Sequence, residues 1–259
     1  MKIIKCFSLL ALLVVAGCGQ ASEANNTTTK LTVSAASSMM ESLMEVKEIV
    51  EAEYPAIEIT YNFGGSGTLR RQIEQGAPID LFFSASKRDY EALKGEGLIR
   101  NGSAILENKL VMITSDQVPL DSVEEFFQSD KKMAIGTPVA VPAGTYSQQA
   151  LEEMGMWEKL EDRLIFTKDV QQVLTYVEEG NVDVGMVYLS DVRGVENIEV
   201  LEVVDPNYHP PIEYFAASIQ NGDDQKVEAI ETFYDYVQSD KSMKLFERYG
   251  FQTTSRENE

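Results

Sequence analysis

"NFGGSGTLRRQIEQGAPIDLFFSAS", residues 62–86, places three glycines and a serine ahead of an amphipathic helix that leads into a short buried strand. A glycine-rich helix entrance invites comparison with a nucleotide phosphate loop. That loop needs Gly-Lys-Ser/Thr after its glycines, and here Gly67 is followed by Thr68 and Leu69. A nucleotide is therefore a poor ligand for this turn, and the turn must bind something else or merely shape the chain.

The same alternation extends in both directions. "LTVSAA" (31–36) reads as a strand, "SSMMESLMEVKEIVEAEYP" (37–55) as a helix closed by Pro55, and "IEITYNF" (57–63) as a strand. After the quoted stretch come "RDYEALKGEG" (88–97) as helix and "KLVMIT" (109–114) as strand. A second set follows, with strands at 132–138, 164–167 and 182–190 and helices at 145–157 and 169–180. The chain then runs through "DPNYHPP" (205–211) into the strand "IEYFAASIQ" (212–220) and one long amphipathic helix over 224–250. Strands separated by helices of this length predict an α/β protein with parallel sheets and crossover helices. Two such units, each of roughly a hundred residues, predict two lobes with a cleft between them.

Composition narrows the partners. The chain has 259 residues, 44% hydrophobic and 25% charged, with a formal net charge of −20. That field repels nucleic acid and anionic lipid headgroups, so no nucleic-acid partner is expected. The N-terminus, "MKIIKCFSLLALLVVAGCG", has basic Lys2 and Lys5 followed by an apolar run of signal-peptide proportions. Val15-Ala16-Gly17-Cys18 resembles a bacterial lipobox, which makes 1–17 a lipoprotein signal peptide and Cys18 the lipidated first residue of the mature chain. Cys6 leaves with the signal, so no thiol remains for a disulfide or for catalysis. Residues 18–30 are polar and read as a flexible tether.

Four places put small or hydroxyl residues where a helix begins: "SAAS37SM", "GGS66GTL", "VPA143GTY" and "TKDV170QQV". A helix N-terminus has unsatisfied N–H groups and a partial positive charge, so it binds an anion without a cationic side chain. Each alone reads equally well as a cap, a turn or a core position, and Tyr188 alone as a half-buried aromatic. Arg70 and Arg71 fall on the flank of their helix as solvated charges. Asp80, Asp169 and Asp191 lack metal-ligand spacing, so no cation site is expected. His209, the only histidine, reads as a linker residue, although a hydrolase pairing it with Ser37 or Ser66 is an alternative. Met154, Met156 and Trp157 are expected to pack on the second-lobe sheet.

Taken together, "SAAS", "FGGSGTLRRQIEQGAPIDLFFSA", "VPAGTYSQQAL", "DVQQVL", "GMVYLSD" and "LFERYGF" occur in order across nearly the whole mature chain. In this the chain resembles the molybdate-binding proteins of ABC importers. The resemblance implies a two-lobed, type II periplasmic-binding-protein fold with a ligand cleft between lobes, lobe 1 being 31–113 with 211–259 and lobe 2 being 114–210. It implies Ser37 and Ser66 as hydroxyl and backbone donors, Ala143 and Val170 as backbone donors, and Tyr188 as a phenol donor, all to molybdate or tungstate. It further implies no enzymatic activity, no cofactor, an ABC permease and a separate ATPase as partners, and a monomer lipid-anchored on the extracytoplasmic face of the cell membrane. Hinge crossings are expected near 112–116 and 208–212. Sulfate, phosphate or an organic anion is the alternative ligand.

Overall fold

In the computed structural model, residues 28–220 and 224–253 are described. The expected signal peptide, the expected lipidation site Cys18 and most of the expected tether lie outside these residues. The first half runs β1 (Thr29–Ala36), α1 (Met40–Glu53), β2 (Ile57–Gly64), α2 (Ser66–Glu74), β3 (Leu81–Ser84), α3 (Lys87–Gly95) and β4 (Ile99–Asn108). The second runs β5 (Leu110–Ser115), α4 (Val123–Gln128), β6 (Met133–Gly136), α5 (Pro142–Glu153), α6 (Trp157–Leu160), β7 (Leu164–Thr167), α7 (Val170–Glu178), β8 (Val184–Tyr188) and β9 (Ile198–Val203). The chain returns through β10 (Ile212–Ile219), α8 (Val227–Val237), α9 (Asp240–Arg248) and β11 (Gln252–Thr253).

These strands form two sheets, in the orders β11-β4-β10-β3-β1-β2 and β7-β6-β8-β5-β9. The α/β class stands, but the sheets are mixed rather than parallel. β1 runs parallel to β2 and β3, and β6 parallel to β7 and β8, while β10 is antiparallel to β3 and β4 and β5 is antiparallel to β8 and β9. Every antiparallel pair includes a strand that borders a crossing between the sheets, β4 or β5 beside Lys109 and β9 or β10 beside 204–211. The first crossing therefore lies at Lys109 and not at 112–116, and 110–113 belong to the second sheet, not to the first lobe as expected. The return crossing occupies 204–211.

Other boundaries move for local reasons. Thr29 and Lys30 belong to β1 and not to the tether, since Thr29 pairs with Ile57 and its N–H donates to the Ala56 carbonyl at 2.7 Å. The helix read over 37–55 begins at Met40, after a 3-10 turn at Ser37–Met39. The long terminal helix is two helices. The first ends at Val237 with Gln238 as its C-cap, and Ser239 caps the second, its hydroxyl accepting from the Ser242 N–H at 3.3 Å. Apolar positions hold the layers together: Leu43, Val46 and Val50 put one buried face of α1 onto the first sheet, and Trp157 meets Phe166 of edge strand β7 at 6.4 Å between ring centroids.

Candidate binding site between the two sheets

In α/β sheets the carboxyl ends of parallel strands are where turns lead into helix N-termini, so that edge collects unpaired N–H groups. Each sequence-derived candidate sits at such an end. Ser37 follows β1, Ser66 opens α2 after β2, Ala143 is the second residue of α5 after β6, Val170 opens α7 after β7, and Tyr188 closes β8. All five are buried, none more than 4% exposed, so whatever they contact is enclosed.

Local sequence explains the placement. Gly65, with φ −69° and ψ 132°, precedes Ser66, and the Thr68 and Leu69 N–H groups both return to the Gly65 carbonyl. Pro142 starts α5 at the position that needs no N–H donor, so this helix begins three residues before the expected 145 and includes Ala143 and Gly144. Gly144 lets α5 press against β6, since a Cβ there would lie 1.9 Å from the Gly136 carbonyl oxygen. Asp169 caps α7 by accepting from the Gln172 N–H at 2.9 Å. Ser37 differs from the others, since it starts a 3-10 turn and neither it nor Ser38 caps α1.

Contacts across the two sheets bring these ends together. The Gly67 N–H donates to the Ala140 carbonyl at 3.1 Å, joining the start of α2 to the approach of α5. A Cβ on Gly65 would stand 2.6 Å from that same oxygen and 3.2 Å from the Lys168 carbonyl, two residues before α7. The Ser37–Met39 turn packs on α7 and on the turn Leu189–Val192 that follows Tyr188. The Tyr188 ring lies edge-on to Tyr214 at 5.8 Å, and the Tyr214 hydroxyl is 2.8 Å from Ser38 Oγ.

The donors are spare. Ser66 Oγ accepts from the Ala85 N–H at 3.0 Å, which leaves its own O–H to donate. The Ser66, Ala143 and Val170 N–H groups have no hydrogen-bond acceptor among the described residues. The Tyr188 hydroxyl is buried without a partner. Burial, reinforced by Tyr214 and Tyr146, pushes that phenol well above its ordinary pKa, so it stays a neutral donor. Beside it, Asp191 accepts from the Tyr188 N–H at 2.8 Å, and burial raises its carboxyl to about 7.

The decoys are engaged elsewhere. Arg70 is ion-paired with Asp89 at 2.9 Å and with Glu74, and Arg71 is exposed and donates to Thr68 Oγ1 at 3.2 Å. Asp80 accepts from the Thr32 N–H and pairs with Lys226 at 3.0 Å. His209 lies on the return crossing, with Nδ1 against the Pro210 carbonyl at 2.8 Å and the ring edge-on to Tyr146. It has no hydrogen bond to Ser37 or Ser66, so no Ser-His pair is present among the described residues. Among those residues no helix is long and apolar enough to cross a membrane. Sequence reasoning missed Asn108 and Tyr214, which are polar, buried and far apart in the chain; only strand pairing brings them together.

Residues 31–252 match the family model of bacterial extracellular solute-binding proteins. The chain belongs to that family. It is 38% identical over 250 residues to YvgL of Bacillus subtilis, a protein assigned as an ABC transporter substrate-binding lipoprotein, covering 94% of this chain and 95% of that one. It is 32% identical to the molybdate-binding protein ModA of Haemophilus influenzae, covering 92% and 95%. Among solved structures, the substrate-binding domain of a protein assigned as a molybdenum ABC transporter from Clostridium difficile superposes with a TM-score of 0.66 at 35% identity, covering 87% of this chain and 99% of that one. The resemblance to molybdate-binding proteins and the two-lobed α/β fold are thereby borne out, and these relatives are solute-binding proteins rather than enzymes.

Proposed function

We propose that this solute-binding protein captures molybdate or tungstate between its two sheets and delivers it to an ABC permease driven by a separate ATPase. The observation that carries the reading is the buried, unpartnered Tyr188 hydroxyl at the edge where three helix N-termini meet. A group of this kind costs about 1–3 kcal/mol unless a partner arrives. Ser37 and Ser66 supply hydroxyls, and Ser66, Ala143 and Val170 supply N–H groups, on the tetrahedral anion.

Chemistry favours these anions. Molybdate and tungstate are fully deprotonated near neutral pH, so each oxygen accepts, and neutral donors suit them. Hydrogenphosphate carries a proton that needs an acceptor, and burying it unpaired costs about 1–3 kcal/mol. Sulfate has the same charge but is smaller, so cavity size must reject it. A chain at −20 can hold a dianion because the site's dipoles are local, whereas bulk charge is screened beyond about 8 Å at physiological salt. The halves, 28–108 with 212–253 and 110–203, would close on the anion about Lys109 and 204–211. Closure gives the permease a state to recognise, because a ligand shifts only an equilibrium whose states it binds differently. Removal of 1–17 and lipidation at Cys18 would hold a monomer at the outer face of the membrane.

Calorimetric titration with molybdate, tungstate, sulfate and phosphate at fixed salt tests the reading. One-to-one binding of the first two, with sulfate and phosphate silent, is expected. Binding of sulfate or phosphate in preference, or silence for all four, would overturn it.

A further inference from the structure

Asn108 beside the first crossing and Tyr214 of β10, just past the return crossing, belong to one buried polar chain that includes none of the anion donors. Asn108, the last residue of β4, pairs in register with Ile212 at the start of β10, two residues before Tyr214. Its Oδ1 accepts from the Lys109 N–H at 2.9 Å, which fixes the amide's orientation. Its Nδ2 then faces two hydroxyls, Ser190 Oγ at 2.8 Å and the Tyr214 oxygen at 3.3 Å. Because Tyr214 accepts from Asn108, its single O–H is free to donate to Ser38 Oγ at 2.8 Å. Lys109 N–H thus donates to Asn108, Asn108 donates to Ser190 and to Tyr214, and the Tyr214 and Ser38 hydroxyls share one hydrogen bond. Asn108, Tyr214, Ser38 and Ser190 are all buried, where a half-satisfied network is costly and a satisfied one fixes geometry.

Its ends matter. Ser38 is the neighbour of Ser37, on the first half, and Ser190 lies two residues after Tyr188, on the second. The Tyr214 ring also packs edge-on against Tyr188 at 5.8 Å and against Phe251 at 5.2 Å. One amide at the crossing therefore holds, at the same time, the turn that presents Ser37 and the turn that follows Tyr188.

We infer that Asn108 and Tyr214 are positioning residues that set the closed angle between the halves and, through Ser38 and Ser190, the placement of the anion donors Ser37 and Tyr188. They touch the anion through neither side chain; they act through the donors. The ligand arm of this inference rests on the oxyanion reading above, whereas its geometric arm does not.

Tyr214→Phe is the direct test, because it removes one hydroxyl and keeps the ring that packs on Tyr188 and Phe251. In the full-length protein, molybdate should dissociate roughly tenfold faster, as expected for one lost buried hydrogen bond, with association within about twofold. Ser38→Ala breaks the same link from its other end, so the double variant should lose no more than either single one, while Tyr214→Phe combined with Ser66→Ala should add. A merely structural hydroxyl would lower the melting temperature and leave the release rate alone; release within about twofold of the parent rate would overturn the inference. Hydrogen exchange without ligand supplies the second arm. Loss of the chain should speed exchange at Gly67, whose N–H bridges the halves, and over the turn 189–192, while β1 and β8 keep their protection. If the parent protein binds neither molybdate nor tungstate, the oxyanion reading falls and this arm decides alone: unchanged exchange at Gly67 and 189–192 would refute the positioning role.

Discussion

Gly65→Ala should weaken anion binding without unfolding the protein. The backbone at Gly65, φ −69° and ψ 132°, suits any residue, so alanine brings no conformational strain. The new methyl would instead stand 2.6 Å from the Ala140 carbonyl oxygen, 3.1 Å from Val141 Cγ2 and 3.2 Å from the Lys168 carbonyl oxygen. Two of these obstacles are main chain held by the second sheet, and neither can swing away as a side-chain tip could. Relief requires the halves to separate by several tenths of an ångström, which also stretches the 3.1 Å bond from Gly67 to Ala140. Overpacking of this kind costs about 1–3 kcal/mol. An open form escapes the contact, so the cost falls on closure, and affinity should drop by roughly 5- to 150-fold. Calorimetry with molybdate measures the loss, and a ligand-free melting curve separates it from instability. A variant that binds as tightly as the parent would show that the halves do not need this approach to hold the anion.

Val170→Pro should remove one N–H donor while leaving α7 intact, because proline is tolerated at the first helical position; an affinity loss of about 1.5–3 kcal/mol by calorimetry is expected, and an unchanged Kd would take Val170 off the anion. His209→Gln should leave anion affinity unchanged, and any hydrolytic activity lost with it would revive the serine-hydrolase alternative. Asp191 holds its proton to about 7 in the folded chain against an ordinary 3.8, so its contribution to stability is complete below 3.8 and is lost as pH rises through about 7. Asp191→Asn should flatten that part of the curve in urea unfolding between those pH values; an equally steep curve would place the titration elsewhere.

Much of this fold was legible because its strands and helices announce themselves by period, as in "LFFS" buried on every residue and the Leu43, Val46 and Val50 face of α1. β4 was not legible. "IRNGSAILEN" mixes polar and apolar residues on a half-exposed strand, and only its pairing with β10 and β11 makes it one. β9 escaped for the same reason, since none of its residues is buried. The break at Ser239 carried a legible signal, a serine ahead of an acidic first turn, but the amphipathic period on both sides concealed it. In the candidate site, helix starts singled out Ser37, Ser66, Ala143 and Val170, whereas Tyr188, and the ligand role of all five, came from the family pattern. Asn108 and Tyr214 lie 106 residues apart and carry no local motif, so nothing short of the tertiary structure joins them.

The most direct test of the account is a crystal structure with tungstate, whose metal scatters anomalously and locates the anion without reference to any hydrogen-bond assignment. The account predicts a single strong peak between the sheets, with tungstate oxygens about 2.7–3.1 Å from the Ser66, Ala143 and Val170 nitrogens and from the Ser37, Ser66 and Tyr188 hydroxyls. A peak elsewhere, or one at this place that leaves the Tyr188 hydroxyl without a partner, would contradict it.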